Sequence, residues 1–336
     1  SFSGFLNGET LSTSGISGSP AYTTIADPSS PVGEYTIVID KGTLSSANYE
    51  FAFVNGFLNV EKATIKVTPV DATRTYGASN PDFTAIYNGF VNGETLGTSG
   101  VSGIPVLTTD AIATTPVGTY AIDATIGSLV ASNYDFSFGK GNIEITKAQL
   151  TVTADAKARA YGSVNPTLTA TIAGFANGET LATSGVQGQA SLATDATVSS
   201  PVGQYTITAS QGTLVSNNYS FTYATGKLSV TKAAIIVKAD DKNRPYGSSN
   251  PVLTVSYSGF VNGETLGTSG VSGSVAVTTS ATELSTAGQY DIVSSAGTLV
   301  ASNYDFQFEK GTLTVNKVTI TVNIDNKSRT YGAVNP

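Results

Sequence analysis

The chain has 336 residues, a net charge of −7 and only 12% charged side chains, and it contains no Cys, His, Trp or Met. Without Cys and His, the usual ligands of zinc, copper, haem and iron–sulfur centres are missing, as are disulfides and Ser-His-Asp or Cys-His nucleophile systems. Sparse and net acidic charge argues against nucleic acid, which calls for clustered Lys and Arg, and no apolar run is long enough to span a membrane.

One octapeptide organises what remains. It reads GFLNGETL from Gly4, GFVNGETL from Gly89, GFANGETL from Gly174 and GFVNGETL from Gly259, each copy starting 85 residues after the last. The same interval separates Tyr76, Tyr161, Tyr246 and Tyr331, and likewise Asn48, Asn133, Asn218 and Asn303. Solenoid repeats run about 20–50 residues and cannot stand alone, whereas a unit of this length can bury a core of its own. The units are residues 1–62, lacking a first strand, then 63–147, 148–232 and 233–317, with 318–336 as the first strand and turn of a further repeat. The missing Met, the start inside a repeat and this trailing piece read as a cut from a longer array. The other reading is self-association by head-to-tail strand donation, residues 318–336 completing the N-terminal repeat of a neighbouring molecule.

Within the second unit, Thr64 to Thr68 alternates as a half-buried strand, and Asp71 to Pro81 reads as a loop with Tyr76-Gly77 and Asn80-Pro81 turns. Phe83 to Tyr87 is a second strand. Asn92-Gly93 suits either a tight turn with φ > 0 or the cap of one helical turn from Glu94 to Ser99, ended by Gly100. Strands follow at Ile104 to Thr109, after the Pro116-Val117-Gly118 turn at Thr119 to Ala124, at Tyr134 to Phe138 and at Ile143 to Ile145. Six or seven short strands with turn signals about every 8–12 residues predict an all-β sandwich. The expected architecture is a tandem array of Ig-like β-sandwich domains in an elongated rod; the alternative is β-grasp-like units with one short helix.

At each junction the apolar spacing changes from two to five: Val60 to Ile65, Ile145 to Leu150, Val230 to Ile235, Val315 to Ile320. An odd step moves the buried set to the other face. One extended segment therefore leaves one core and enters the next without a linker, and the absence of Gly/Ser or Pro-rich spacers predicts stiff connections.

Three charged positions recur with the repeat, Arg74, Glu94 and Lys147 in the second unit, the arginine being absent from residues 1–62, which lack the first strand and its turn. Arg74 and Glu94 are the candidate structural ion pair. Lys147, Asn133 and Glu94 are the residue types of an intradomain isopeptide bond. Asp240-Asp241 is the sole adjacent acidic pair and no calcium-loop pattern accompanies it. Tyr76 and Tyr134 are candidate sugar-stacking platforms. No catalytic residue, cofactor or metal is expected, because nothing concentrates acids in one copy.

The motifs Tyr76-Gly77, Asn80-Pro81, Gly89 to Thr95, Pro116-Val117-Gly118-Thr119-Tyr120 and Asn133-Tyr134, closed by Lys147-Ala148, resemble the MBG domain of the YGX type. The fourth copy departs from the pattern at one turn, Thr286-Ala287-Gly288. The resemblance covers essentially the whole chain. It implies an extracellular stalk or fibre of a bacterial surface adhesin or secreted filament; a multivalent array for host or matrix glycans or proteins is the alternative.

Overall fold

Alternation of apolar and polar side chains builds the strands. In Ala233–Ala239 every second residue is buried, Ile235 and Val237 completely, while Ala234 and Lys238 face outward. β-branched residues on such a half-buried pleat pack well against same-face neighbours. The computed structural model describes residues 1–336, and its regular elements are all strands, with no helix.

Repeat 1 holds β1 (Ala21–Thr23), β2 (Gly33–Asp40) and β3 (Gly56–Val60). Repeat 2 runs through β4 (Ala63–Pro69), β5 (Ala72–Thr75), β6 (Ala85–Asn88), β7 (Val106–Thr108), β8 (Gly118–Thr125), β9 (Tyr134–Phe138) and β10 (Lys140–Thr146). Repeat 3 has β11 (Ala148–Ala154), β12 (Lys157–Ala160), β13 (Ala170–Ala173), β14 (Ser191–Ala193), β15 (Gly203–Ser210), β16 (Tyr219–Ala224) and β17 (Gly226–Thr231). Repeat 4 has β18 (Ala233–Ala239), β19 (Lys242–Pro245), β20 (Val255–Ser258), β21 (Ala276–Thr279), β22 (Gly288–Ser295), β23 (Tyr304–Glu309) and β24 (Gly311–Asn316).

The chain divides into two compact units. The first is Ser1–Gln149 with Phe175–Val186 and Ser216–Ser220; the second is Leu150–Gly174 with Gln187–Val215 and Phe221–Pro336. The first thus contains repeats 1 and 2 with two loops of repeat 3, and the second contains the rest of repeat 3 with repeat 4.

Repeat 4 shows the topology of a complete copy. A three-stranded sheet has the order β20-β18-β23 and a four-stranded sheet the order β19-β24-β22-β21. The chain changes sheet at five of its six connections, all but β21 to β22, and at two of them, β18 to β19 and β23 to β24, it crosses over in a short segment. The two crossing segments run side by side in one direction, so β18 pairs parallel with β23 and β19 parallel with β24, while every other pairing is antiparallel. Ala239, Ala281, Ile292 and Leu313 close the core in repeat 4. Repeat 2 has the same orders, β6-β4-β9 and β5-β10-β8-β7. Repeat 1 retains only β1-β2-β3, and residues 317–336 form no strand.

The odd junction step is borne out. In β17 the buried residues are Leu228 and Val230, in β18 they are Ile235 and Val237, and Lys232 alone separates the two strands.

One strand falls where a loop is expected. β5 lies within Asp71 to Pro81, and it carries Arg74, which is 7% exposed. Each guanidinium nitrogen is bonded: Nε donates to Asn80 Oδ1 at 2.6 Å, Nη1 to the Thr75 carbonyl at 3.3 Å and Nη2 to the Ile112 carbonyl at 2.6 Å. Asn80 in turn donates to the Ala111 carbonyl at 2.7 Å. Arg159 and Arg244 repeat this set. The expected Arg74–Glu94 pair therefore does not form, because every bond the buried arginine makes is to a carbonyl or amide oxygen beside its own strand. Replacing Arg244 by Met leaves Asn250 and the Thr282 carbonyl without their donors, and is expected to cost about 2–4 kcal/mol. An unchanged urea midpoint by circular dichroism would show that these bonds contribute nothing net.

Candidate functional site

The recurring octapeptide folds as two successive turns. In repeat 3, Asn177 (φ 54) and Gly178 (φ 70) are both left-handed and close a turn in which Glu179 N donates to the Ala176 carbonyl at 2.9 Å. Asn and Gly are the residues that tolerate this conformation. A single turn follows, with Thr183 N and Ser184 N both bonded to the Thr180 carbonyl. Both sequence readings of Asn-Gly are thus partly right. The left-handed turn is present, and so is a short coiled turn, but the Thr183 hydroxyl accepts from Thr180 N and Asn177 does not cap it. The recurring leucine lies outside: Leu96 is 44% exposed and Leu181 51%. The inward side of the turn is the serine three residues on, Ser99 and Ser184.

These turns present a glutamate to the preceding repeat. Glu179 Oε2 accepts from Tyr219 OH of its own repeat at 2.6 Å, and Oε1 accepts from Tyr76 OH of repeat 2 at 2.6 Å. The two rings meet edge to face, 5.5 Å apart at 84°. Glu264 holds Tyr304 at 2.6 Å and Tyr161 of repeat 3 at 2.5 Å in the same way, with rings 5.5 Å apart at 88°.

The other signature residues surround this clamp. The Asn218 side chain accepts from Val117 N of the Pro-Val-Gly turn at 3.1 Å, Asn303 from Val202 N at 3.0 Å, and Asn133 from Val32 N at 3.1 Å. Lys147 Nζ donates to the Ser216 carbonyl of the next repeat at 2.8 Å, and Lys62 Nζ to Ala131 at 3.2 Å. Gly162 has φ 77, and a Cβ there would lie 2.3 Å from Val261 Cγ2 of repeat 4, so the Tyr-Gly motif lets a side chain of the next repeat pack on bare backbone. Apolar packing is continuous across the joint: Tyr161 and Val230 of repeat 3 cluster with Ile235, Val237, Leu299 and Tyr304 of repeat 4.

The structure does not assemble the isopeptide set. Asn133 turns to repeat 1, Lys147 to repeat 3, and Glu94 accepts from Tyr134. Tyr76 and Tyr134 are 5% and 1% exposed, so neither ring offers a face to a sugar. Asp240 accepts from Thr254 and Ser256, and Asp241 from Thr312 N, so the acidic pair divides its two carboxylates between separate strand ends. What sequence reasoning missed is that Asn133-Tyr134 and Pro116-Val117-Gly118 are joint residues. Their signal was the shared 85-residue register with Glu94.

Burial, joined by the hydrogen bond to glutamate, pushes the Tyr219 and Tyr304 phenols up from 10.0 to about 12. The hydrogen bonds to glutamate raise Tyr76 and Tyr161, with burial adding to the effect. A raised phenol pKa means that the folded chain holds the proton more tightly than the unfolded one. The contribution is complete below pH 10.0 and is lost as pH rises through about 12. Alkaline unfolding is expected in that window, and removing the phenols with Tyr219→Phe and Tyr304→Phe should flatten it; an identical pH profile would contradict this. A double-mutant cycle of Tyr161→Phe with Glu264→Gln should give a coupling of about 1–2 kcal/mol, whereas additive effects would deny the bond any role.

Among curated proteins none matches the chain. Of solved structures, the extracellular domain of protocadherin GammaB4 is 8% identical, with 90% of this chain and 60% of that one covered at a TM-score of 0.20. Immunoglobulin domains 1–4 of Sidekick-1 are 11% identical, with 75% of each chain covered at a TM-score of 0.15. At those scores the likenesses carry no argument about fold or role. The family model of the MBG domain (YGX type) matches residues 1–59, 65–144, 150–229 and 235–314, the spans that hold the recurring glutamates and their own-repeat tyrosines. The chain belongs to the MBG domain family of the YGX type, as four tandem copies.

Proposed function

We propose that this array is a spacer, a stalk or fibre segment of a bacterial adhesin or filament outside the cell. One observation carries the reading. The residues that define each copy, Tyr-Gly, Pro-Val-Gly, Asn-Gly-Glu and Asn-Tyr, point at the neighbouring repeat and are used up there. Glu179 illustrates it, since its two oxygens are bonded to two tyrosines, one from each side of the joint. A binding module repeated four times would turn its recurring polar and aromatic residues toward solvent. Here the tyrosines at the joints of repeats 2 and 3 and of repeats 3 and 4, Tyr76, Tyr161, Tyr219 and Tyr304, are buried and bonded there, which suits a chain that fixes the separation of what lies at its ends. The extracellular bacterial setting rests on family membership.

The chain has no Cys, so two labels can be placed without background. Ala121→Cys in repeat 2 and Ala182→Cys in the repeat 3 loop are both exposed positions of the first compact unit. Spin labels there are expected to give one narrow distance distribution, and a broad one would overturn the spacer reading. In parallel, the full chain should give no signal on glycan or matrix-protein arrays; reproducible binding would favour the multivalent binding array instead.

A further inference from the structure

In a complete copy the segment that enters the repeat lies parallel to the segment that leaves it. In repeat 4 the entering segment is β18 followed by β19, and the leaving segment is β23 followed by β24. Ala233 to Lys238 pair in register with Tyr304 to Glu309, and Lys242 to Pro245 with Leu313 to Asn316. The first rung runs from Ala233 N to the Asn303 carbonyl at 3.0 Å, and the last from Tyr246 N to the Asn316 carbonyl at 2.9 Å. Repeat 2 keeps both, Ala63 N to Asn133 at 3.0 Å and Tyr76 N to Thr146 at 2.8 Å.

The ladder also holds where both segments change sheet. A Cβ on Gly311 would lie 2.3 Å from the Ala239 carbonyl oxygen, so the two segments cross with backbone against backbone. Asp241 fills the gap between the two sets of pairs, its Oδ1 accepting from Thr312 N at 2.7 Å. Asp71 does the same for Asn142 N in repeat 2, also at 2.7 Å.

Direction decides what this ladder does under load. A pull along the chain draws β18 and β19 toward their N-terminal end, and β23 and β24 toward their C-terminal end. Because the two segments are parallel, those forces slide one along the other. Parallel ladders space their bonds evenly along the strands, so all the rungs are strained together and none opens alone. An antiparallel pair pulled at two adjacent ends instead peels, one bond after another. The antiparallel strands β20, β22 and β21 flank the two segments and are loaded only through them.

We infer that each complete repeat is a shear clamp, whose entry and exit segments form one continuous parallel ladder that resists tension along the chain. Its resistance is a rate, since forced unfolding follows the unfolding barrier and not the equilibrium stability. The joint reinforces the end of the ladder, where sliding begins. Tyr161 N closes the ladder of repeat 3 onto the Thr231 carbonyl at 2.8 Å, and its hydroxyl is bonded to Glu264 of repeat 4. One residue thus carries the last rung and is held by the next copy. Resistance to tension is a property of the fold alone; that it serves a stalk rests on the spacer reading.

The test is single-molecule stretching of the 336-residue chain through cysteine handles, which its lack of Cys allows. Handles at Ala234→Cys and Lys317→Cys load repeat 4 along the ladder, and handles at Ser295→Cys and Lys310→Cys peel β22 from β24; all four positions are exposed. Along the ladder the repeat is expected to hold and then give way in one step, at severalfold the peeling force. Residues 234–317 then reach about 280–300 Å when extended.

Two variants separate the ladder from the stability of the fold. Tyr246 is the second residue of a turn closed by Ser248 N to the Pro245 carbonyl, with Gly247 at φ 80, a type II turn that accepts proline in that place. Tyr246→Pro therefore keeps the turn and deletes the last rung. At a fixed force along the ladder it should unfold about tenfold faster than Tyr246→Ala, which keeps the amide, while the two peel alike. Asp241→Ala introduces the residue that repeat 3 carries at Ala156, and should unfold about tenfold faster than the unsubstituted chain. Equal rates for Tyr246→Pro and Tyr246→Ala, gradual lengthening in place of one step, or equal forces in the two directions would each overturn the inference. The spacer reading stands or falls separately, on the label distances and the arrays.

Discussion

A carboxylate held between two phenols is the contact on which the repeat joints depend. Glu179 and Glu264 each bridge a tyrosine of their own copy and one of the copy before. Hydrogen bonds to an ionised acceptor are the stronger kind, and their strength grows as water is excluded. The edge-to-face rings supply that exclusion. The charge and the aromatic packing therefore reinforce each other, since neither phenol could be buried so fully without an acceptor and the acceptor would gain little in open water.

The joint is more than an ion cradle, because the apolar core continues through it. Tyr161 and Val230 pack with the first strand of repeat 4, and that strand enters its new core one residue after β17 ends. A change of buried face over so short a distance is possible only in extended backbone, whose side chains alternate. The structural consequence appears in the division of the chain: loops Phe175–Val186 and Ser216–Ser220 of repeat 3 are grouped with repeat 2. Sequence repeats and packing units do not coincide, since the signature loops belong to the neighbour they touch.

Most of the strands were legible in the sequence because their signal is local. Tyr-Asp-Phe-Ser-Phe or Thr-Ile-Lys-Val-Thr alternates whatever it pairs with. β5 was hidden because its inward residue is an arginine and its partner strand, β10, lies about 70 residues on. The glutamate's partner was also misread. Arg74 and Glu94 recur in step and carry opposite charge, but register alone cannot say that one is sealed beside its own strand while the other faces the next repeat. The octapeptide leucine shows a related limit. On a single coiled turn only one side chain in three or four points inward, and here it is Ser99, whose hydroxyl bonds back to the Leu96 carbonyl at 3.5 Å.

The strict 85-residue register follows from the same geometry. A joint made from two different surfaces, the Tyr-Gly and Pro-Val-Gly end of one copy and the Glu and Asn-Tyr end of the next, is heterologous. Every interior copy must present both surfaces at once. An insertion in the octapeptide loop would displace the glutamate from a tyrosine 103 residues earlier, and one in the Pro-Val-Gly turn would withdraw the amide that the following asparagine accepts from. Recurrence in this chain is therefore a packing requirement at both ends of each copy.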